Sequence, residues 1–259
     1  MKKLGLQLYT LRDCFIDEDF TDLTFRKMAA LGYTEGQTAG LPRIGAEKFG
    51  ELARKNGISI IGTHYDWNRI VSEPEATMEL HRMWGTTNVG IGGMPGPARE
   101  SLSALKDFIT LFNKTAEVYA KEGFKLTYHN HHFEFLRIDG TKTLMDYLAA
   151  ELDPVTTSFV LDTCWVAAGG GDVRAWMEKL AGRIDILHLK DMQLVQDSGK
   201  LVATMTEIGN GSLYWEGILA TAEKIGVKHY CVEQDANFLG GNPFRSIEVS
   251  ANYLREKLG

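Results

Sequence analysis

The chain has 259 residues, a formal net charge of −6, 44% hydrophobic residues and 24% charged ones. Length and composition fit a globular protein with one large core, and a single α/β barrel fills this length as one domain, 1–259. The acidic balance argues against a nucleic-acid partner, which takes a basic face, and no apolar run approaches the ~20 residues of a membrane span.

Three cysteines, Cys14, Cys164 and Cys231, are odd in number, far apart and form no CxxC pair. Free thiols in a reducing compartment, hence a cytoplasmic protein, are the expectation. Met1-Lys2-Lys3 is followed by only a few apolar residues before Arg12 and Asp13, too short for the apolar region of a signal peptide.

Leu4 to Leu8 reads as a first strand, and Asp19 to Leu31 as a helix stopped by Gly32. Tyr33 to Gln37 is a second strand with its helix over Ala46 to Lys55, and Ile58 to Gly62 a third that ends in Thr63-His64. Ser72-Glu73-Pro74-Glu75 opens a helix that runs to Trp84, with proline in its first turn. Asn88 to Ile91 is the fourth strand. The longest helix, Glu100 to Lys121, carries Leu102, Leu105, Phe108, Phe112, Ala116 and Tyr119 along one face.

Phe124 to His129 is the fifth strand and delivers Tyr128-His129-Asn130-His131-His132-Phe133-Glu134-Phe135. Its helix is Thr143 to Ala150. Ser158 to Asp162, Ile184 to His188 and His229 to Glu233 are strands six, seven and eight, with helices over Val173 to Leu180, Trp215 to Lys224 and Phe244 to Leu258. Met192 to Ser212 reads as a long loop. Eight alternating strand and helix units predict a single (β/α)8 TIM barrel, in which every strand C-terminus shares one face. An open doubly wound sheet is the alternative fold, but its glycine-rich turn is missing after the first strand.

Four residues carry the chemistry. Glu134, Asp162, His188 and Glu233 each follow a separate predicted strand, at the end where barrel sites are built. Three carboxylates and one imidazole suit one divalent ion, Mn²⁺, Mg²⁺ or Co²⁺ before Zn²⁺. An ion with open positions can hold the two oxygens of a hydroxy-carbonyl compound while the carbon between them loses a proton, giving an enediolate. Glu134 and Glu233 are the expected proton-transfer pair. His64, His131, Trp165, Lys190 and Glu207 are the expected contacts to a small sugar or sugar derivative, with Trp165 offering an aromatic face for stacking. A homo-oligomer is compatible with the sequence.

Blander roles compete for several of these residues. His129 and His132 read as structural histidines of the barrel wall, His81 and His229 as core histidines, and Lys190-Asp191 as a salt-bridged strand end. Cys164 has no base beside it and is not read as a nucleophile. Gly209-Asn210-Gly211 is a weak candidate for cradling an anion with backbone N–H groups.

The segments Gly5 to Asp13, Tyr128 to Phe135, Leu161 to Trp165, His188 to Asp191 and Val232 to Asp235 together resemble the xylose-isomerase-like barrel superfamily. That is the sugar phosphate isomerase/epimerase group, with ketose 3-epimerases, inosose dehydratase and hydroxypyruvate isomerase among its members. The resemblance implies a metal held by Glu134, Asp162, His188 and Glu233, with the two glutamates exchanging the proton. Trp165 stands where ketose epimerases carry histidine, and Gln37 where many relatives carry glutamate. The reading is therefore a metal-dependent sugar isomerase or epimerase. Its first alternative is a lyase or dehydratase acting on a keto-sugar, keto-glycoside or keto-inositol. The second is a sugar-binding barrel without catalysis, which the four retained ligands disfavour.

Overall fold

A computed structural model describes residues 2–40 and 42–258; Met1, Leu41 and Gly259 lie outside the described residues. The strands are β1 (Leu4–Gln7), β2 (Tyr33–Ala39), β3 (Ser59–His64), β4 (Asn88–Ile91), β5 (Lys125–His129), β6 (Thr157–Asp162), β7 (Ile184–Leu189), β8 (Asp191–Asp197), β9 (Lys200–Thr206) and β10 (His229–Val232). The helices are α1 (Glu18–Ala30), α2 (Ala46–Lys55), α3 (Trp67–Ser72), α4 (Pro74–Trp84), α5 (Leu102–Lys121), α6 (Leu144–Glu151), α7 (Thr163–Ala168), α8 (Val173–Lys179), α9 (Trp215–Lys224) and α10 (Pro243–Leu258).

Eight parallel strands run in the order β3-β2-β1-β10-β7-β6-β5-β4. The seam between β3 and β4 is drawn together by Tyr65 N–H donating to Gly90 O at 2.7 Å and Asn88 Nδ2 to Ile61 O at 3.0 Å. A Cβ on Gly90 would lie 2.3 Å from Thr63 O, so the close approach of the two strands there needs glycine. The result is the expected (β/α)8 barrel, nearly closed.

Strand parity sorts the side chains into two cores. Leu126, Tyr128, Phe159, Leu161, Leu187 and Leu189 face outward and join the large apolar layer under the helices. Inside the barrel the apolar core is small: Ile61, Val160, Ile186 and Cys231. The barrel strands carry polar groups beyond this layer at both ends, Glu35 and His229 below and His129, Asp162 and His188 above.

Met192 to Ser212 is not one long loop. Most of it is the antiparallel hairpin β8–β9, whose register pairs Asp197 with Lys200 across Ser198-Gly199. Both turn residues have positive φ, 48° and 79°, the signature of a tight two-residue hairpin turn. The hairpin was hard to read because Leu194, Leu201 and Val202 are exposed, so no buried face marks the alternation.

Candidate metal centre

His129, Asp162, His188 and Glu233 each offer one ligand atom, and the four atoms lie within 4.8 Å of one another in a fully buried group. His129 and Asp162 are each held by a bond that leaves a second atom open toward the others. His129 Nδ1 bonds Gly92 O at 3.1 Å, so its Nε2, buried and without a partner, sits 3.6 Å from Asp162 Oδ2. Asp162 caps α7 by accepting the Trp165 N–H on Oδ1 at 2.9 Å, which leaves Oδ2 unpartnered. His188 Nε2 is engaged by Gln37 Oε1, and its Nδ1 lies 3.0 Å from Glu233 Oε2 and 3.7 Å from Asp162 Oδ2. Fixing one ring nitrogen by a hydrogen bond sets the tautomer that presents the other, which is how metal-binding histidines are oriented.

Three of the four ligands expected from the sequence thus come together, and His129 joins them instead of Glu134. The polypeptide leaves β5 at His129 and turns back through residues 133–135, so Glu134 is buried away from the group. Its Oε1 accepts the Tyr128 hydroxyl at 2.6 Å and its Oε2 the His131 N–H at 2.8 Å. Burial pushes Glu134 up to about 7, against these donors. Parity is the signal that could have found His129: apolar Leu126 and Tyr128 mark the outward face, so Thr127 and His129 face in.

The cavity above the centre is about 330 Å³ and is lined by His64, His131, Trp165, Lys190, Glu233 and Asp235 among others. Lys190 is buried with its Nζ 2.6 Å from Asp235 Oδ2, 3.2 Å from Glu233 Oε2 and 3.7 Å from Asp162 Oδ2. Burial pushes Lys190 down, but the three carboxylates outweigh it and raise it. Burial likewise pushes Glu233 up, and Lys190 with His188 overrides it and holds the carboxyl well below its usual range. His64 is kept neutral by burial among other imidazoles, and burial lowers His131 to about 3.

Trp165 lies at the cavity, but its ring is already in company: Lys190 Nζ is 4.6 Å from its centroid, and the His132 and His131 rings are 5.1 and 5.5 Å away. What Trp165 has without a partner is Nε1–H. Glu207 is not brought to the cavity. It accepts from Ser246 Oγ at 2.7 Å, Thr206 Oγ1 at 3.1 Å and Gln234 Nε2 at 3.4 Å, tying α10 to the barrel. The Gly209-Asn210-Gly211 turn does cradle an anion, and the anion is the chain's own Asp191. Its Oδ2 takes the N–H groups of Gly209 at 3.0 Å and Gly211 at 3.1 Å and the Trp215 indole at 2.5 Å.

Residues 25–257 match the family of xylose isomerase-like TIM barrels. The chain belongs to that family. An inosose dehydratase of Lactiplantibacillus plantarum is 25% identical over 161 residues, 56% of this chain and 52% of that protein. One of Geobacillus thermodenitrificans is 24% identical over 160 residues, 57% and 52%. The chain therefore spans about half the length of the relatives it matches in sequence. A crystal structure of a sugar phosphate isomerase/epimerase from Parabacteroides distasonis superposes with a TM-score of 0.82 at 23% identity, covering 99% of this chain and 98% of that one, a likeness of fold. No helix among the described residues is long and apolar enough to cross a membrane.

Proposed function

We propose that this barrel is a divalent-metal-dependent isomerase or epimerase of a small sugar or sugar derivative, working by proton transfer at the carbon beside a carbonyl. The observation that carries the reading is the convergence of His129 Nε2, Asp162 Oδ2, His188 Nδ1 and Glu233 Oε2, two of them buried with no partner. Leaving such atoms unpaired costs on the order of 1–3 kcal/mol each, more for a charge, which a cation held by all four offsets. Two imidazoles and two carboxylates suit Mn²⁺, Co²⁺ or Zn²⁺ better than Mg²⁺, which takes oxygen ligands. Bound there, the ion supplies positive charge beside the carbonyl and hydroxyl oxygens of the substrate.

The chain supplies the rest. Glu233 lines the cavity and is kept ionised, so its carboxylate is the group that takes the proton. Lys190 and Asp235 fix its position and balance its charge. Trp165 Nε1–H, His64 Nε2 and His131 Nδ1 are buried and unpartnered on residues that line the cavity, which supports a role for them in hydrogen-bonding substrate hydroxyls. Glu134, a proton-transfer candidate in the sequence, acts here by holding the His131 backbone through its Oε2.

A second reading is favoured by the two dehydratases matched in sequence: the same deprotonated substrate expels water or a glycosidic oxygen. One experiment separates the two. The Mn²⁺-loaded protein is incubated in D₂O with ketoses and 3-keto-glycosides. Solvent deuterium at the carbon beside the carbonyl of a recovered isomer supports the first reading, and release of water or aglycone the second. No exchange and no release with any of these compounds would count against both.

A further inference from the structure

A second cavity, of about 220 Å³, opens beside the first and shares Tyr9 and Ala39 with it. Leu8, Phe15 and Phe49 give it apolar walls, and its polar side chains are Tyr9, Thr38 and two arginines, Arg12 and Arg43. None of the residues lining it is acidic. Among the described residues neither arginine meets a carboxylate within ion-pair distance, although the protein as a whole carries an excess of acid. Two cations left unmatched around one hollow make a local positive field in an acidic protein.

The groups are also prepared for an oxyanion. Arg12 stacks on the Tyr9 ring at 4.3 Å and donates to the carbonyls of Tyr9 at 2.9 Å and Asp235 at 3.1 Å. These bonds hold the guanidinium in place without neutralising it, and a guanidinium has five N–H donors in a planar fork that matches carboxylate or phosphate. Thr38 is 3% exposed and its hydroxyl has no partner. A buried hydroxyl seldom goes unpaired unless something else completes it.

We propose that this cavity is an anion subsite, in which Arg12, Arg43 and Thr38 take a phosphate or carboxylate at the far end of the sugar derivative whose carbonyl lies over the metal centre. The proposal rests on the reading of that centre as a sugar site, and it narrows the substrate to one carrying a negative charge. Arg12 joins the two cavities mechanically, because the residue whose carbonyl it holds, Asp235, also holds Lys190 beside Glu233.

The test uses three ketoses matched in skeleton: D-fructose, D-fructose 6-phosphate and D-fructuronate, titrated calorimetrically into the Mn²⁺-loaded and the EDTA-treated protein. The unmodified chain should bind one or both anionic ketoses roughly tenfold or more tightly than fructose, the size of one charge-assisted bond. Arg43→Gln should cut that ratio to about threefold or less, and Arg12→Lys, which keeps charge but loses the fork, should land between. The order of phosphate and carboxylate tells which anion the subsite takes. Equal affinity for all three ketoses, or a preference that survives Arg43→Gln, would overturn the proposal. The EDTA-treated arm reads the subsite by itself: a preference retained there stands even if the D₂O experiment finds no chemistry, and chemistry on neutral ketoses alone leaves the metal reading standing while this one fails.

Discussion

At the N-terminal end of the barrel, Glu35 Oε2 meets His229 Nδ1 at 3.0 Å, and Asp185 takes Lys228 at 2.7 Å and Lys125 at 3.4 Å. At the C-terminal end, Asp162 Oδ2, His129 Nε2, His64 Nε2 and Gln37 Nε2 are buried with no partner. Glu35 and Asp185 at the lower end are buried about as deeply as Glu233 at the upper, so burial alone does not tell a functional carboxylate from a structural one. Satisfaction does. Below, Glu35 and Asp185 each have a partner within reach, so no bound group is needed to complete them. Above, His129 and Asp162 each spend one atom on orientation and leave the other open, a cost that a bound group removes.

The largest effect is expected at Glu233. Glu233→Gln removes both a ligand and the proposed base, whereas His129→Gln removes a ligand only. The rate should fall by about 10²–10⁴ for the loss of a general base, and saturating Mn²⁺ should restore His129→Gln in part but not Glu233→Gln. Equal rescue of the two would leave Glu233 as a ligand and move the base to Lys190 or His131.

Next in size is the pairing behind the ligands. Gln37→Ala frees the His188 ring, and loss of such an orienting partner typically costs 10–100-fold in metal affinity. Glu134→Gln should change that affinity by less than about threefold, because its oxygens are engaged by Tyr128 and His131 outside the group. Competition against a fluorescent chelator measures both. A loss for Glu134→Gln as large as that for Gln37→Ala would put Glu134 back among the ligands.

These two residues also show how far the sequence could be read. Eight strands and their order along the chain were legible because each apolar run is short, bounded by glycine or polar residues and followed by helical periodicity. Asp162, His188 and Glu233 were legible as the last residues of such runs. Glu134 was misplaced because the backbone curls after His129, and a three-residue turn has no periodic signal. The second arginine of the anion subsite, Arg43, was not singled out at all: it sits on a loop, and what gives it meaning is the cavity it shares with Arg12 and Thr38. Local pattern places elements well, while the contents of a cavity depend on residues far apart in sequence.

The paired end gives smaller effects. Glu35→Ala leaves His229 Nδ1, on a side chain 25% exposed, to water and should cost about 0.5–1.5 kcal/mol of stability, seen as a lower urea midpoint with an unchanged slope. Metal affinity should stay where it was. A variant that kept its midpoint but lost metal would mean the two ends are coupled through the small interior core.

Smallest of all should be Lys228→Gln, and its pH dependence is what makes it informative. Burial pushes Asp185 up, but the Lys228 bond and the nearby Lys125 outweigh it, so the folded carboxyl ionises below its ordinary range. A carboxyl depressed on folding adds stability above its unfolded value, near 4, and that contribution is lost as pH falls through the folded value. Lys228 is 62% exposed, so solvent and salt screen the pair, and its removal should cost under about 1 kcal/mol at neutral pH. The difference from the unmodified chain should begin to shrink as pH falls below about 4 and close only below the folded carboxyl's depressed value, where it is protonated in both states, and should shrink as well in about 0.5 M salt. Urea melts across that pH range decide it: a gap that widens on acidification would mean Lys228 matters for something other than Asp185.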